Sequence, residues 1–165
     1  MFKSVNGGKL PQRSTKYSAG FDVFANEDVV IGAGETKLIG TGLTIDYDAW
    51  HEFLVFGKGR GLFKNFHEFM VSHYFALHIR SPLRAKGLTS LGTGIIDMDY
   101  RDEIKMVIHY PLTLDLDADY SCKEYKINKG DKIGQLILCR HEGWLLPEEY
   151  TKDKEHNGVF GGTGI

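Results

Sequence analysis

The sequence predicts an all-β domain of the barrel or jelly-roll kind, on three observations. Hydrophobic runs are short, helical periodicity is scarce, and Gly, Asn and Asp punctuate the chain between runs. Twenty glycines in 165 residues suit a fold with many tight connections.

The runs at 21–24, 36–39, 43–45, 53–56, 104–110 and 133–138 each read as a strand bounded by turn residues. In the fifth, Ile104, Met106, Ile108 and Tyr110 alternate with Lys105, Val107 and His109, which gives one apolar face. The sixth carries Gln135 inside an apolar run, and a buried glutamine must be hydrogen-bonded or bind something. Residues 57–75, GKGRGLFKNFHEFMVSHYF, break the rhythm: Phe63, Phe66, Phe69 and Met70 fall near helical spacing after a flexible Gly-rich hinge. This segment reads as an inserted loop with a short helix, its aromatic residues suited to an interface with a protein partner.

One domain accounts for the length, and about two thirds of the unfolded chain's surface becomes buried at this size. Cys122 and Cys139 are too few for a disulfide framework or a zinc cage, so a cytoplasmic setting is expected. No apolar run is long enough to span a membrane. A net charge of −2 argues against general nucleic-acid binding. The charge is uneven, with six Lys or Arg against Glu68 alone between positions 58 and 86, and acids dominating from 97 to 119.

His67 and His73 are six apart and do not share a helical face, so the HEFMVSH stretch is not read as a metal site. Residues 80–87, RSPLRAKG, form a basic loop able to surround a polyphosphate or simply to be solvated. Residues 94–104, GIIDMDYRDEI, crowd Asp97, Asp99, Asp102 and Glu103 around Tyr100, either as a polar turn or as the edge of a pocket. The Gly-rich C-terminus, EHNGVFGGTGI, isolates Phe160 in an arm that could stack on a base.

Taken in order, five segments resemble the motifs of the trimeric dUTPase family: Ala19-Gly20-Phe21-Asp22-Val23, Arg80-Ser81, residues 94–101, residues 130–136 and Phe160-Gly161-Gly162-Thr163-Gly164. The resemblance implies a distorted jelly-roll β-barrel over 1–154, with the insert at about 57–75 and a flexible arm at 155–165. It also implies a dUTP diphosphatase that uses Mg²⁺ and works as a homotrimer. By that resemblance Asp97 activates water for attack at the α-phosphorus. The backbone of Ile95 and Ile96 pairs with uracil in a hairpin closed by a return strand near Lys105, Tyr100 packs on the deoxyribose, and Phe160 stacks on the base. Arg80, Ser81 and Gln135 meet the phosphates, and Asp22 contacts the metal through its bound water.

Three positions depart from the family pattern. Pro82 replaces a usual glycine and removes a backbone N–H, with Arg84 the candidate to compensate. Glu155 stands where the arm commonly carries an arginine, and Gly162 where it carries a serine. The alternatives are a dCTP deaminase-like enzyme of the same fold, which lacks its proton-shuttling glutamate here because Val107 holds the matching position, and a regulatory module binding through the insert.

Overall fold

The computed structural model describes residues 1–91, 94–112 and 124–145. Among the described residues ten short strands dominate: β1 (Phe2–Ser4), β2 (Phe21–Phe24), β3 (Val29–Gly32), β4 (Thr36–Gly40), β5 (Leu43–Ile45), β6 (His73–Ile79), β7 (Gly94–Asp97), β8 (Lys105–His109), β9 (Glu124–Ile127) and β10 (Lys132–Arg140). Three helices join them, α1 (Tyr47–Val55), α2 (Phe66–Ser72) and α3 (Ser81–Ala85), with a 3-10 turn at Gly143–Leu145. A four-stranded sheet has the order β2-β10-β6-β7, and three two-stranded ladders pair β1 with β5, β3 with β9, and β4 with β8, all antiparallel.

The ladders enclose a core in which Val23, Ile31, Ile39, Leu43, Ile104, Ile108, Ile133 and Leu136 are fully buried. The expected alternation in β8 is present, since Met106 and Ile108 are buried while Lys105 is exposed. In the four-stranded sheet, Val23, Leu136, Leu77 and Ile79 face this core. The other face carries Asp22, Gln135, His78, Tyr74, Cys139, Ile95 and Asp97, because residues opposite one another in register share a face.

Two sequence readings are corrected. Residues 53–56 are not a strand: they complete α1 and its C-cap, where Trp50 and Leu54 bury a helical i, i+4 face. The Asp46 carboxylate caps this helix by accepting from Ala49 N at 3.1 Å. The basic stretch after β6 is the short helix α3 and not a loop; Pro82 sits in its first turn, where the missing N–H has no intrahelical acceptor to lose.

Within residues 57–75, α2 is helical as its spacing suggests, but β6 already begins at His73. Asn65 caps α2 by accepting from Glu68 N at 2.8 Å, while the Glu68 carboxylate accepts from Lys64 N. Its aromatic residues turn inward. Phe69 is buried on Trp50, with ring centroids 4.9 Å apart, and Phe63 and Phe66 pack against the core. The aromatic surface read from the sequence is therefore largely used up by packing; Leu62 in the segment stays exposed, as does Phe56 at the C-cap of α1. Among the described residues no helix is long and apolar enough to cross a membrane.

Candidate active site

Asp22 lies on β2 and is 1% exposed, a costly place for a carboxylate unless it is fully partnered. Among the described residues four donors meet it. Ser14 Oγ donates to Oδ2 at 2.6 Å, Gln135 Nε2 donates to Oδ1 at 3.2 Å, Lys132 Nζ stands 2.8 Å from Oδ2, and the Arg80 guanidinium pairs with Oδ1. A carboxylate offers about four lone-pair positions, so the set is saturated. Burial pushes the Asp22 carboxyl up, but hydrogen bonds from Lys132, Ser14 and Gln135 and the Arg80 charge outweigh it and hold it at about 2.

Strand register explains how these residues meet. Gln135 is directly opposite Asp22 on one side and His78 on the other. Lys132 precedes Gln135 by three residues, a spacing that on a regular strand would send the two side chains to opposite faces. A register shift between Lys132 and Gly134 inserts one residue and brings Lys132 back to the Asp22 side. Arg80 follows β6 directly, its backbone N–H donating to Ile133 O at 3.1 Å, which fixes the root of its side chain beside β10. Ser81 is exposed in the first turn of α3.

A second group lies around the end of β7. Asp97 is exposed, and its carbonyl accepts from Tyr100 N at 3.1 Å. Ile95 is 65% exposed, whereas Ile96 packs against the core. Tyr100 is half-buried, with its hydroxyl donating to Glu103 O at 3.3 Å; burial first, then the Asp102 and Glu103 charges, push its pKa up. Lys105 is exposed at the start of β8.

β7 and β8 are not paired with one another: β7 pairs with β6 and β8 with β4. The returning strand is captured instead by residues 41–43, at the junction of β4 and β5. Ile104 N donates to Leu43 O at 2.8 Å, Thr41 Oγ1 donates to Ile104 O at 2.5 Å, and Gly42 N donates to the Glu103 carboxylate at 2.7 Å.

The two groups are well separated within one chain. Asp97 is opposite Tyr74 on β6, while Gln135 is opposite His78, four residues further along. At about 3.3 Å per residue and about 4.8 Å per strand spacing, Asp97 and Gln135 stand roughly 16 Å apart. Phe160 lies outside the described residues, as do the arm and the segment 113–123.

Ser14 and Lys132 were missed by motif reasoning. Lys132 was legible only as a cation three residues before Gln135, and Ser14 gave no signal, since its link to Asp22 comes from a loop. Among the described residues no three His, Cys, Asp or Glu side chains are grouped to hold a metal ion. The donor set fits an ion carried on a ligand's phosphates, because the Asp22 carboxylate stays ionised. Lys132, with 47% of its side chain exposed, is the partner most easily displaced by a metal's waters.

The sequence model of the dUTPase family matches residues 70–164. The chain is 31% identical over 158 residues to the deoxyuridine 5'-triphosphate nucleotidohydrolase of Nautilia profundicola, covering 94% of this chain and 90% of that protein. It is 29% identical over 168 residues to the enzyme of the same name from Debaryomyces hansenii, covering 99% and 86%. Among solved structures, a mutant dUTPase from phage phi11 of S. aureus, studied for its coordination of a structural Mg(II) ion, superposes with a TM-score of 0.62 at 21% identity, covering 94% of this chain and 97% of that one. The dUTPase of Streptococcus mutans gives 0.59 at 19% identity, covering 86% and 95%. The structural likenesses carry the jelly-roll fold, and the family match together with the near full-length sequence relationships shows that this chain belongs to the dUTPase family.

Proposed function

We propose that this chain is a dUTP diphosphatase that hydrolyses dUTP to dUMP and pyrophosphate by attack of water on the α-phosphorus. One observation carries the reading. Three of the five motif segments, separated by 58 and 113 positions from Asp22, converge on that one carboxylate through Arg80 and Gln135. Such a cluster has surplus positive charge, with Arg80 and Lys132 facing a single buried anion, and so suits a polyphosphate.

In the proposed reaction Arg80, Ser81 and Gln135 meet the phosphates, and the exposed Asp97 carboxylate takes the proton of the attacking water. The backbone of Ile95 and Ile96 with the neighbouring Lys105 frames the uracil, and Tyr100 packs on the deoxyribose, where a 2'-hydroxyl meets crowding. Phe160 closes over the base from the arm. Bound Mg²⁺ would supply charge neutralisation on the phosphates, and Asp22 is the residue that would accept from its waters. The residues of the chain do the remaining work by positioning.

The separation of about 16 Å between Asp97 and Gln135 is too long for one water to touch both in the same chain. Both lie on the sheet face opposite the core, where Gln135, His78, Tyr74 and Cys139 are only half-buried and Ile95 is exposed. A second copy seated on this face brings its own β7 end to the Asp22 cluster. The closed threefold ring of a homotrimer repeats that contact three times.

The test is incubation with dUTP, dTTP, dCTP and UTP in the presence of Mg²⁺, with pyrophosphate and the monophosphate measured. Turnover of dUTP alone is expected. Release of ammonia from dCTP, or no turnover of any of the four, overturns the reading.

A further inference from the structure

The turn that follows Asp97 is held from two sides, and only one of them belongs to the β framework. On the first side, Thr44 Oγ1 on β5 donates to Arg101 O at 2.9 Å, and Glu103 and Ile104 are bound by the segment 41–43 as described above. On the second side, the Arg101 guanidinium lies 4.7 Å from the centroid of the Tyr47 ring, a cation–π distance. Arg101 Nη1 also reaches Met98 O at 3.4 Å within the turn, so the side chain spans from the turn's own backbone to Tyr47.

Tyr47 is the first residue of α1 and is itself braced. The Phe66 ring on α2 meets it edge-on at 4.8 Å and 90°, and His51, one turn further along α1, meets Phe66 at 5.0 Å and 79°. Edge-to-face geometry of this kind is the favoured one for aromatic pairs. The two helices are anchored in turn by Trp50 stacked on Phe69 and tilted against Phe75 of β6. Phe66 itself packs against the core, so α1 and α2 link the core to the guanidinium next to Tyr100 through Phe66 and Tyr47.

We propose that the α1–α2 pair is a strut that positions the Tyr100–Arg101 turn through Tyr47, so that Tyr47 and Phe66 are positioning residues for sugar selection although neither contacts the nucleotide. Thr44 and Glu103 fix the turn's backbone at its C-terminal end. The Arg101 contact constrains it beside Tyr100, the residue on which discrimination against a ribonucleotide depends. This inference rests on the dUTPase reading above, and that reading fails separately if the unaltered protein does not convert dUTP.

The experiment compares Tyr47→Ala, Tyr47→Phe, Arg101→Gln and the Tyr47→Ala/Arg101→Gln double variant. For each, kcat and KM are measured for dUTP and for UTP, with the thermal midpoint read alongside. Tyr47→Ala is expected to lower kcat/KM for dUTP by about threefold to thirtyfold, the range of one cation–π contact. The ratio of dUTP to UTP turnover should narrow with it. Tyr47→Phe retains the ring and should restore both. Arg101→Gln, an exposed position, reads the same contact from the other side should Tyr47→Ala lower solubility. In the double variant the two losses should not multiply, because they remove one interaction. A Tyr47→Ala protein with a lowered thermal midpoint but an unchanged dUTP-to-UTP ratio, or fully multiplicative losses, overturns the proposal.

Discussion

Gln135 lies directly across the β2–β10 ladder from Asp22 and donates to its carboxylate at 3.2 Å. A polar residue in an otherwise apolar strand is thereby satisfied, and it marks the point at which β10 passes the buried acid. Asp22→Asn removes the charge and exchanges an acceptor oxygen for an amide donor that faces Lys132 or Arg80. Both cations retain water contact, which limits the damage. A stability loss of about 1–3 kcal/mol in urea unfolding at pH 7 is expected.

The same carboxylate sets an acid limit on the fold. Its folded pKa of about 2 lies below the ordinary 3.8, so the unfolded chain binds the proton more readily. The stabilisation is therefore complete above about pH 4 and is lost as the pH falls through about 2. Unfolding curves collected across that window should steepen their fall in the parent protein and be flatter in Asp22→Asn. Equal slopes in the two proteins would detach Asp22 from acid stability.

His73 titrates in a different window. Its Nδ1 stands 2.9 Å from Ser72 Oγ and 3.1 Å from Phe69 O, and its ring stacks on Phe69 with centroids 4.5 Å apart. Burial pushes its pKa below 6.5, opposed by the Phe69 carbonyl and reinforced by the Arg140 and His141 charges. The neutral ring is thus the native form, and its contribution to stability is present above pH 6.5 and is lost as the pH falls below it. In His73→Phe the loss of thermal stability between pH 7 and pH 5 should be smaller than in the parent.

Much of the fold was legible because its cause is local. The alternation from Ile104 to Tyr110 reports one buried face whatever the strand pairs with, and the spacing of Phe66, Phe69 and Met70 reports a helical turn that α2 supplies. The segment 53–56 was misread because a short apolar run suits either a strand or a helix until its partner is known. Burial of Trp50 and Leu54 on one helical face, with Trp50 stacked on Phe69 of α2, decides it. For the site, Asp22, Arg80 and Gln135 were readable from motif order. Ser14 was not, since a loop serine gains meaning only from the three-dimensional position of Asp22. Lys132 joins the cluster through a register shift, a feature of strand pairing that no local pattern encodes.

A tight crossing at the N-terminus gives a test of the packing. A Cβ built on Gly8 falls 2.1 Å from Gly42 O, on backbone that cannot rotate away. Gly7, with φ of +74°, has nothing within 4 Å of the added atom. Gly8→Ala is expected to cost about 3 kcal/mol or more, whereas Gly7→Ala should cost about 1–2 kcal/mol from its left-handed backbone alone. Denaturant midpoints for the two variants check the order, and a Gly7→Ala protein less stable than Gly8→Ala contradicts it.

Asp97→Asn keeps the shape of the side chain and removes its basicity. Turnover of dUTP is expected to fall by about 10²- to 10⁴-fold, the usual worth of a positioned base, with nucleotide affinity retained. Isothermal titration with a non-hydrolysable dUTP analogue separates binding from chemistry. A near-normal rate would remove Asp97 from the mechanism.

The distance between Asp97 and Gln135 makes the strongest statement about how the site is built. If each site takes Asp97 from one copy and the Asp22 cluster from another, two crippled proteins can repair one another. Asp97→Asn supplies an intact cluster, and Gln135→Ala supplies an intact Asp97. After co-refolding an equal mixture, a site combines the two sound halves when its Asp97 side comes from the Gln135→Ala protein and its cluster side from the Asp97→Asn protein. Random assembly makes this so in roughly a quarter of sites in a symmetric ring, and about that fraction of parent turnover should return. Each variant refolded alone should stay inactive, and mixing without unfolding should restore nothing. Recovery in the co-refolded mixture requires residues from two chains in one site, because no single chain then carries both. Its absence, with mixed oligomers verified by tagged pull-down, would place Asp97 and Gln135 in the same chain's site and demand a rearrangement that closes the gap.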